Sequence, residues 1–388
     1  MKTGIICFDY SSAFDMVDEK ILGCKLHNLG FGETSVNLMT NYMSDRSIVV
    51  EASGGKSETI HFKSLSPQGS KISPTVYLVA THDINEIIEA VEGCYSVTYA
   101  DDTNVVCTAR SMAELKAIME EVCRRIQEYS SRNGLCLNAS KTEFVIIRSK
   151  NKKLDDDFHI YFDGEKIKES RNIKFLGIVT SKDMSGFAHV DSILPEVNRR
   201  ISMMRRLREY FPQRSLLTLV KANIVPKILY GSEIWCNISS GHERGVLHKV
   251  ELLYKEAIRA ALGEWRNNRT PSEELWEKSG IERPGRTVLR RVAIAGFDIY
   301  NDTGAWRFLE REVQFRAERE RRKRYEDILP VLPDACSLRN RATRIYNCLP
   351  QEMKNINYGT REETLKVFKS FFNNKVEMIE SEIRSRYF

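Results

Sequence analysis

The sequence predicts an α+β fold in which helices cover one side of an antiparallel sheet, followed by a mostly helical second half. Three observations support this prediction. Short apolar runs alternate with amphipathic segments over residues 1–180, and turn signals such as Gly54-Gly55 separate them. From about residue 181 the strand pattern gives way to long basic helical segments. With 388 residues, 42% of them hydrophobic, the chain is long enough for more than one domain.

The first half alternates between strands and helices. Its predicted strands are short apolar runs bounded by turn residues, at 4–8, 47–52, 59–63, 95–99, 104–108, 144–148, 159–162 and 173–179. Its predicted helices have apolar residues three or four positions apart, at 20–29, 33–43, 73–91 and 111–134. Ser73-Pro74 places Pro at a favoured first helical position, and Ser111 is a favoured N-cap.

The second half is predicted to be helical, at 190–210, 215–230, 243–262, 307–324 and 361–383. We therefore predict three domains. Residues 1–180 form the sheet domain, residues 181–264 form a helical region, and residues 265–388 form a basic C-terminal region to which the sequence assigns no role.

Charge is unevenly divided along the chain. Residues 1–180 hold 21 Lys+Arg against 25 Asp+Glu, a net of −4, whereas the remaining residues hold 38 against 28, a net of +10. A basic half suits a polyanion because each neutralised phosphate releases counterions, although an ordinary solvated surface is the alternative. The nine scattered cysteines favour a reduced compartment, cytoplasm or nucleus. No stretch approaches the roughly 20 apolar residues of a membrane span, so we expect no membrane partner.

Three aspartates lie where predicted strands end. Asp9 follows the first strand, and Asp101 and Asp102 occupy the turn between two later strands. Adjacent carboxylates repel each other unless a cation neutralises them, so the pattern indicates a site for Mg²⁺ or Mn²⁺. An isolated Asp-Asp pair would more often simply mark a hairpin turn.

Five motifs in order resemble those of reverse transcriptases from non-long-terminal-repeat retrotransposons of the LINE or jockey type. They are Phe8–Asp15, Ser66–Pro74, Tyr99–Thr103, Leu137–Thr142 and Phe175–Gly177. A further run, Val225–Gly231, resembles the start of the thumb in this family. A cellular relative such as a group II intron maturase or telomerase is a less favoured alternative, because the Tyr-Ala-Asp-Asp-Thr box and the Val225–Gly231 run resemble the retrotransposon type.

The resemblance implies a palm over residues 1–180 and a thumb-like region over 181–264. It also implies an RNA-directed DNA polymerase that transfers nucleotides to a primer 3′-hydroxyl with two metal ions, with an RNA template, a DNA primer and deoxynucleoside triphosphates as partners. In the family, fingers precede the first motif, and here Met1 stands eight residues before Asp9. We therefore expect an N-terminally truncated chain with impaired activity, the alternative being a catalytically inactive nucleic-acid-binding remnant.

The resemblance also assigns roles to individual residues. Asp9 and Asp101 would be the principal metal ligands, and Asp102 would support the primer-side metal. The main-chain carbonyl of Tyr10 would face the nucleotide metal. Asp15 and Asp18 lie in the same segment, where negative charge at the start of a helix is the better interpretation.

The substrate pocket would be formed by five further residues. The Phe14 ring would exclude a 2′-hydroxyl, although a core position is equally consistent with the residues alone. Gln68 would contact the incoming sugar, and Gly69 would permit close backbone approach. Tyr99 would pack on the primer terminus. Lys141 would balance charge near the triphosphate, unless it is an ordinary surface lysine.

Arginines interleaved with apolar residues in the first helix of the thumb-like region would contact nucleic-acid phosphates. The candidates are Arg199, Arg200, Arg205 and Arg206.

Overall fold

The computed structural model describes residues 1–64, 66, 69–154, 158–236, 245–264, 270–300, 338–356 and 360–387. It divides into two compact units, Met1–Met184 and Ser185–Phe388. A further border near residue 264 remains a prediction. The predicted helix at 307–324 lies outside the described residues.

The first unit has the α+β composition predicted from the sequence. Its elements are β1 (Lys2–Phe8), α1 (Glu19–Asn28), α2 (Glu33–Met43), β2 (Ser44–Ile48), β3 (Glu51–Ala52), β4 (Gly55–Lys56), β5 (Ile60–Ser64), α3 (Ser73–Ala80), α4 (Ile84–Glu89), β6 (Cys94–Tyr99), β7 (Asp102–Ala109), α5 (Met112–Arg132), β8 (Glu143–Ile147), β9 (His159–Phe162), β10 (Glu165–Lys168), β11 (Asn172–Phe175) and β12 (Ile178–Ser181). The central sheet is antiparallel, with the strand order β6-β7-β1-β8.

Helix α5 lies against the sheet, and its sequence explains both its start and its close packing. Ser111 and Glu114 form the reciprocal capping box that satisfies backbone donors at its N-terminus. Met119 is fully buried. A Cβ at Gly4 of β1 would lie 2.8 Å from the Met119 Sδ, so glycine permits this approach of helix to strand.

The start of α1 confirms the helix-capping interpretation of Asp18. The Asp18 carboxylate accepts from the Lys20 backbone N–H at 2.8 Å and from the Ile21 backbone N–H at 3.2 Å. These bonds satisfy two of the N–H groups that a helix N-terminus leaves without intrahelical partners.

The helix predicted over 73–91 is wrong in one respect, because it is broken between α3 and α4. Lys25 from α1 enters the break, and its Nζ donates to the Ala80 carbonyl (2.6 Å), to Asp83 Oδ1 (2.7 Å) and to the Tyr129 hydroxyl (3.0 Å). The Tyr129 hydroxyl also donates to Asp83 Oδ1 at 2.7 Å. Helical periodicity did not predict this break, because it does not show that the Ala80 carbonyl and the Asp83 carboxylate accept hydrogen bonds from a buried lysine.

Two further predictions were wrong in detail. The strand predicted at 173–179 is a hairpin of β11 and β12, and its turn residues Leu176 and Gly177 both have positive φ. The strands predicted at 47–52 and 59–63, on either side of Gly54-Gly55, are replaced by a pairing of β2 with β5 that encloses the smaller β3–β4 hairpin.

The outer edge of the sheet, strand β6, is covered by side chains of α4. The Ser96 backbone N–H donates to Glu89 Oε1 at 3.0 Å, and Asn85 Nδ2 donates to the Thr98 hydroxyl at 3.2 Å. The first of these bonds occupies a backbone N–H of the edge strand that would otherwise be open to another strand.

The described part of the second unit is helical. Its elements are α6 (Phe187–Leu207), α7 (Gln213–Leu219), a π-helical turn (Val220–Ile224), α8 (Val225–Leu229), α9 (Ser232–Trp235), α10 (Val246–Leu262), α11 (Ser272–Ser279), α12 (Pro284–Tyr300), α13 (Leu338–Cys348), α14 (Gln351–Lys354) and α15 (Arg361–Tyr387). Helices α9 and α11 to α14 were not predicted individually. Among the described residues, no helix has both the length and the apolar character needed to cross a membrane.

Candidate active site

Strand register brings the first motif to the hairpin that carries the other two aspartates. Phe8, the last residue of β1, pairs with Thr103 of β7, so Asp9 continues the strand toward Asp102. Phe8 and Thr103 are buried on the α5 side of the sheet. Because successive side chains alternate between faces, Asp9 and Asp102 share the opposite face.

Asp101 lies in the two-residue turn that joins β6 to β7. Tyr99 pairs with Asp102, so Ala100 and Asp101 are the two turn residues. Ala100 has a φ of 53°, in the left-handed region that a residue with a Cβ seldom adopts. A strained residue beside a group of carboxylates is typical of functional turns.

The three carboxylates interact electrostatically. Partial burial and the negative charges of Asp101 and Asp9 raise the pKa of Asp102, and the Lys174 charge opposes this shift. The Asp9 Oδ2 is shielded from solvent and has no hydrogen-bond partner among the described residues, and Lys141 Nζ lies 3.5 Å from it.

We expect Asp102→Asn to raise the melting temperature near pH 7. The raised pKa means that the folded chain binds the proton of the Asp102 carboxyl more tightly than the unfolded chain does. The stability that comes from protonated Asp102 is therefore complete below the ordinary Asp pKa of 3.8 and is lost as pH rises through the raised pKa. An uncharged Asn removes that loss, so the two proteins should melt alike at about pH 3. Thermal melts at both pH values check this, and a variant that melts lower at neutral pH would contradict it.

Lys141 is brought to Asp9 by a turn in the segment that leads into β8. The Asn138 backbone N–H donates to the Asp9 carbonyl at 2.9 Å, and the Thr142 N–H then closes back onto the Asn138 carbonyl at 3.0 Å. Tyr10 forms a bridge with Leu137 in the same segment. The turn sets the exposed Lys141 ammonium beside Asp9, so the lysine is positioned by its motif.

The Tyr10 backbone also has a defined direction. The Asp9 carbonyl and the Ser11 N–H bond to residues 136–138 on the β8 side. Since backbone groups of successive strand residues point to opposite sides, the Tyr10 carbonyl is directed to the side on which β7 pairs. The Tyr10 ring is buried, and its hydroxyl lies 3.5 Å from the Ser130 hydroxyl.

Phe14 packs on a residue that the motifs do not include. Its ring lies against that of Tyr77 in α3, with centroids 4.7 Å apart and the planes inclined by 31°. Tyr77 is fully buried, whereas Phe14 is half-buried. Burial, with smaller contributions from Tyr10 and from the Asp101 charge, raises the pKa of the Tyr77 hydroxyl. Both interpretations of Phe14 stay open, because its ring joins the core and keeps an accessible part.

The remaining substrate candidates are only partly described. Gly69 has a φ of 82° and open space around its Cα, so the backbone there is accessible and requires glycine. Gln68 lies outside the described residues. Tyr99 is 65% exposed on the same sheet face as Asp102.

The carboxylates fit a divalent cation by their chemistry, but they do not by themselves complete a coordination sphere. Within the described ranges, no group of three or more His, Cys, Asp or Glu side chains is arranged to hold a metal ion. The Asp9 Oδ2 is shielded and has no hydrogen bond, and the charges of Asp9 and Asp101 repel the Asp102 carboxylate. A bound cation would relieve both. Mg²⁺ commonly takes only one or two carboxylates and completes its shell with water and substrate phosphates.

Residues 1–180 match the family described as reverse transcriptase (RNA-dependent DNA polymerase). These 180 of the chain's 388 residues therefore carry a reverse transcriptase domain. The match includes Asp9, Asp101 and Asp102, as well as the sheet on which they lie.

The curated relatives that the chain matches include RNA-directed DNA polymerases from mobile elements. The RNA-directed DNA polymerase from mobile element jockey of Drosophila funebris is 24% identical over 265 residues, which cover 66% of this chain and 28% of that protein. The probable RNA-directed DNA polymerase from transposon X-element of Drosophila melanogaster is 22% identical over 233 residues, 59% of this chain and 25% of that protein. The chain thus spans less than a third of the length of these relatives.

Solved telomerase structures are also similar over long stretches. Apo telomerase from Candida tropicalis aligns with 98% of this chain and 53% of that chain, at 11% identity and a TM-score of 0.37. Telomerase from Candida albicans, in complex with a fragment of telomeric RNA, aligns with 79% and 45% at 12% identity and a TM-score of 0.32.

In the second unit, the four candidate arginines of α6 divide into two pairs. Arg200 bonds to Glu196, and Arg205 lies 3.3 Å from Glu256, so both are already neutralised by carboxylates. Arg199 and Arg206 are exposed and make no ion pair within the described part of the unit. They are seven residues apart and therefore share one helix face.

We expect the Arg199→Ala/Arg206→Ala double variant to bind an RNA–DNA duplex more weakly and with a shallower salt dependence. Removal of one arginine–phosphate pairing should reduce the slope of log K against log salt by about 0.9. Fluorescence anisotropy over a salt series measures this slope. The matched Arg200→Ala/Arg205→Ala variant should keep most of the slope. An equal reduction of the slope in both variants would contradict the distinction between ion-paired and phosphate-binding arginines.

Proposed function

We propose that this reverse transcriptase domain catalyses RNA-directed DNA synthesis, with Asp9, Asp101 and Asp102 holding Mg²⁺ or Mn²⁺ at the reacting phosphate. The observation that carries the proposal is the β1–β7 register, because it puts Asp9 and Asp102 on one sheet face, next to the turn that holds Asp101. When bound, the metal ions would activate the primer 3′-hydroxyl and stabilise the leaving oxygen.

The chain's own residues would orient the substrates. The carbonyl of Tyr10 is directed to the side of the aspartates, and the exposed Tyr99 ring offers a stacking surface for a primer terminus. Phe14, supported by Tyr77, would crowd the 2′ position of the nucleotide sugar. Lys141 would neutralise part of the triphosphate charge next to Asp9. Gln68 and Gly69 are proposed to contact the incoming sugar.

One observation favours a second candidate, a nucleic-acid-binding protein without catalysis. Helix α6 presents Arg199 and Arg206 to solvent, where they make no ion pair within the described part of the unit. In that case the chain would bind template and primer through phosphates and would not extend the primer.

Primer extension on an RNA template separates the two candidates. The chain is assayed with a DNA primer, deoxynucleoside triphosphates and Mg²⁺, both alone and preceded by the corresponding upstream segment of a jockey relative. Extension that requires both the RNA template and the metal ion supports the polymerase. Duplex binding without extension by either version would favour the binding protein.

A further inference from the structure

Two thiols face each other at the base of the hairpin that carries Asp101 and Asp102. Cys94 of β6 and Cys107 of β7 are direct cross-strand partners, and their Sγ atoms are 3.7 Å apart. Cys94 is 5% exposed and Cys107 is fully buried. Neither thiol contributes to the nucleotidyl-transfer site proposed above.

The strand geometry permits a covalent bridge between them. The Thr108 N–H donates to the Gly93 carbonyl at 2.8 Å, so the adjoining pair, Cys94 and Cys107, is a non-hydrogen-bonded pair. At such pairs the Cα atoms are about 4.5 Å apart, which falls within the roughly 4.4–6.8 Å that disulfides span. Rotation about the two Cα–Cβ bonds is then enough to bring the sulfurs into bonding distance.

The surroundings distinguish the two sulfurs. The hydrogen bond with Cys107, helped by the Arg125 charge, lowers the pKa of Cys94 against the opposing effect of burial. The same hydrogen bond and burial raise the pKa of Cys107. Cys94 also lies on β6, the edge strand, so local opening of this one strand exposes it while β7 stays paired with β1.

We propose that Cys94 and Cys107 form an oxidation site that hydrogen peroxide converts into a cross-strand disulfide. Peroxide oxidises the Cys94 thiol to a sulfenic acid and releases one water. The Cys107 sulfur then attacks the Cys94 sulfur, the S–S bond forms, and the sulfenic oxygen leaves as a second water. Together the two thiols lose two protons and two electrons, and one peroxide becomes two waters. The bridge would tie together the strands of the aspartate hairpin, whatever reaction the domain catalyses.

Peptide mapping of the full chain tests the site. Cys24 and Cys136 are exposed, and Cys336 lies outside the described residues, so all three are replaced by Ser to prevent unrelated exchange. The folded protein is treated with dilute peroxide, alkylated without reduction, digested and analysed by mass spectrometry. We expect one linked peptide pair containing Cys94 and Cys107, released by dithiothreitol.

Cys123 provides the matched control. It is buried on α5, and its charge is among those that raise the pKa of Cys107, so it is the alternative partner in the core. Cys123→Ala, with folding verified by circular dichroism, should leave the Cys94–Cys107 link intact. A Cys107–Cys123 link in the unsubstituted core would overturn the proposal. So would free Cys94 and Cys107 thiols after peroxide treatment that has oxidised other cysteines.

Discussion

Asp101→Asn should slow primer extension by about 10³-fold, corresponding to roughly 4 kcal/mol of lost transition-state stabilisation. The substitution keeps the shape of the side chain but removes the charge that would hold the metal ion. The Asp101 charge already acts on its neighbours, since it contributes to the raised pKa values of Asp102 and Tyr77. Single-turnover kinetics at saturating Mg²⁺, in whichever version of the chain extends primers, measure the effect.

Asp163→Asn is the matched control for this experiment. Asp163 also lies in a hairpin turn of the first unit, between β9 and β10, and has a positive φ of 50° that Asn tolerates. Its carboxylate accepts from Gln127 Nε2 at 2.6 Å, away from the candidate site. Its extension rate should therefore remain close to that of the unsubstituted chain. Comparable losses of rate in both variants would attribute the effect to turn structure and not to the metal site.

Lys25→Met should lower the free energy of unfolding of the first unit by about 3 kcal/mol, or roughly 10 °C in Tm. The substitution removes the three hydrogen bonds that the Lys25 ammonium donates. The Ala80 carbonyl and the Asp83 carboxylate then lose their bonds to lysine. We take the lower end of the range for broken buried pairs because the Asp83 side chain is 34% exposed. Denaturant unfolding monitored by circular dichroism checks the value.

The exposed Lys20 on the same helix is the control, and Lys20→Met should change stability by less than about 0.5 kcal/mol. The pH dependence adds a second test. Burial would raise the pKa of Asp83, but hydrogen bonds from Lys25 and Tyr129 and the Lys25 charge lower it overall. The stability from this pairing is therefore present above the ordinary value of 3.8 and is lost as pH falls through the lowered pKa. A Lys25→Met deficit that does not shrink in acid would contradict the ion-pair explanation.

Local patterns were sufficient for elements whose stability is local. The N-cap residue Ser111 and the apolar stripe of α5 predicted that helix, and the Ala100–Asp102 turn predicted the β6–β7 hairpin. The break between α3 and α4 was missed because it depends on Lys25, which lies 58 residues before Asp83 in the chain. The β11–β12 turn was missed because Leu176, with a φ of 45°, is not a residue that favours positive φ.

In the candidate site, too, local motifs identify residues, whereas contacts between distant parts of the chain position them. Motif order proposed Asp9, Asp101, Asp102 and Lys141 as candidates, whereas their mutual placement depends on strand register and on the Asn138–Thr142 turn. Tyr77 could not have been selected, because a buried tyrosine in an apolar helix carries no local sign that Phe14 will pack on it. The ion pairs of Arg200 and Arg205 also depend on partners that periodicity does not reveal.

Metal-directed cleavage is the most direct test of the proposed metal site. Fe²⁺ is supplied in place of Mg²⁺, with primer, template and deoxynucleotide bound, and ascorbate and peroxide then generate radicals that cut the backbone near the bound ion. Our account predicts cuts in two separate segments, next to Asp9 and next to Asp101-Asp102, which compete with Mg²⁺, disappear in Asp101→Asn and persist in Asp163→Asn. Cuts confined to other segments, or unchanged in Asp101→Asn, would contradict it.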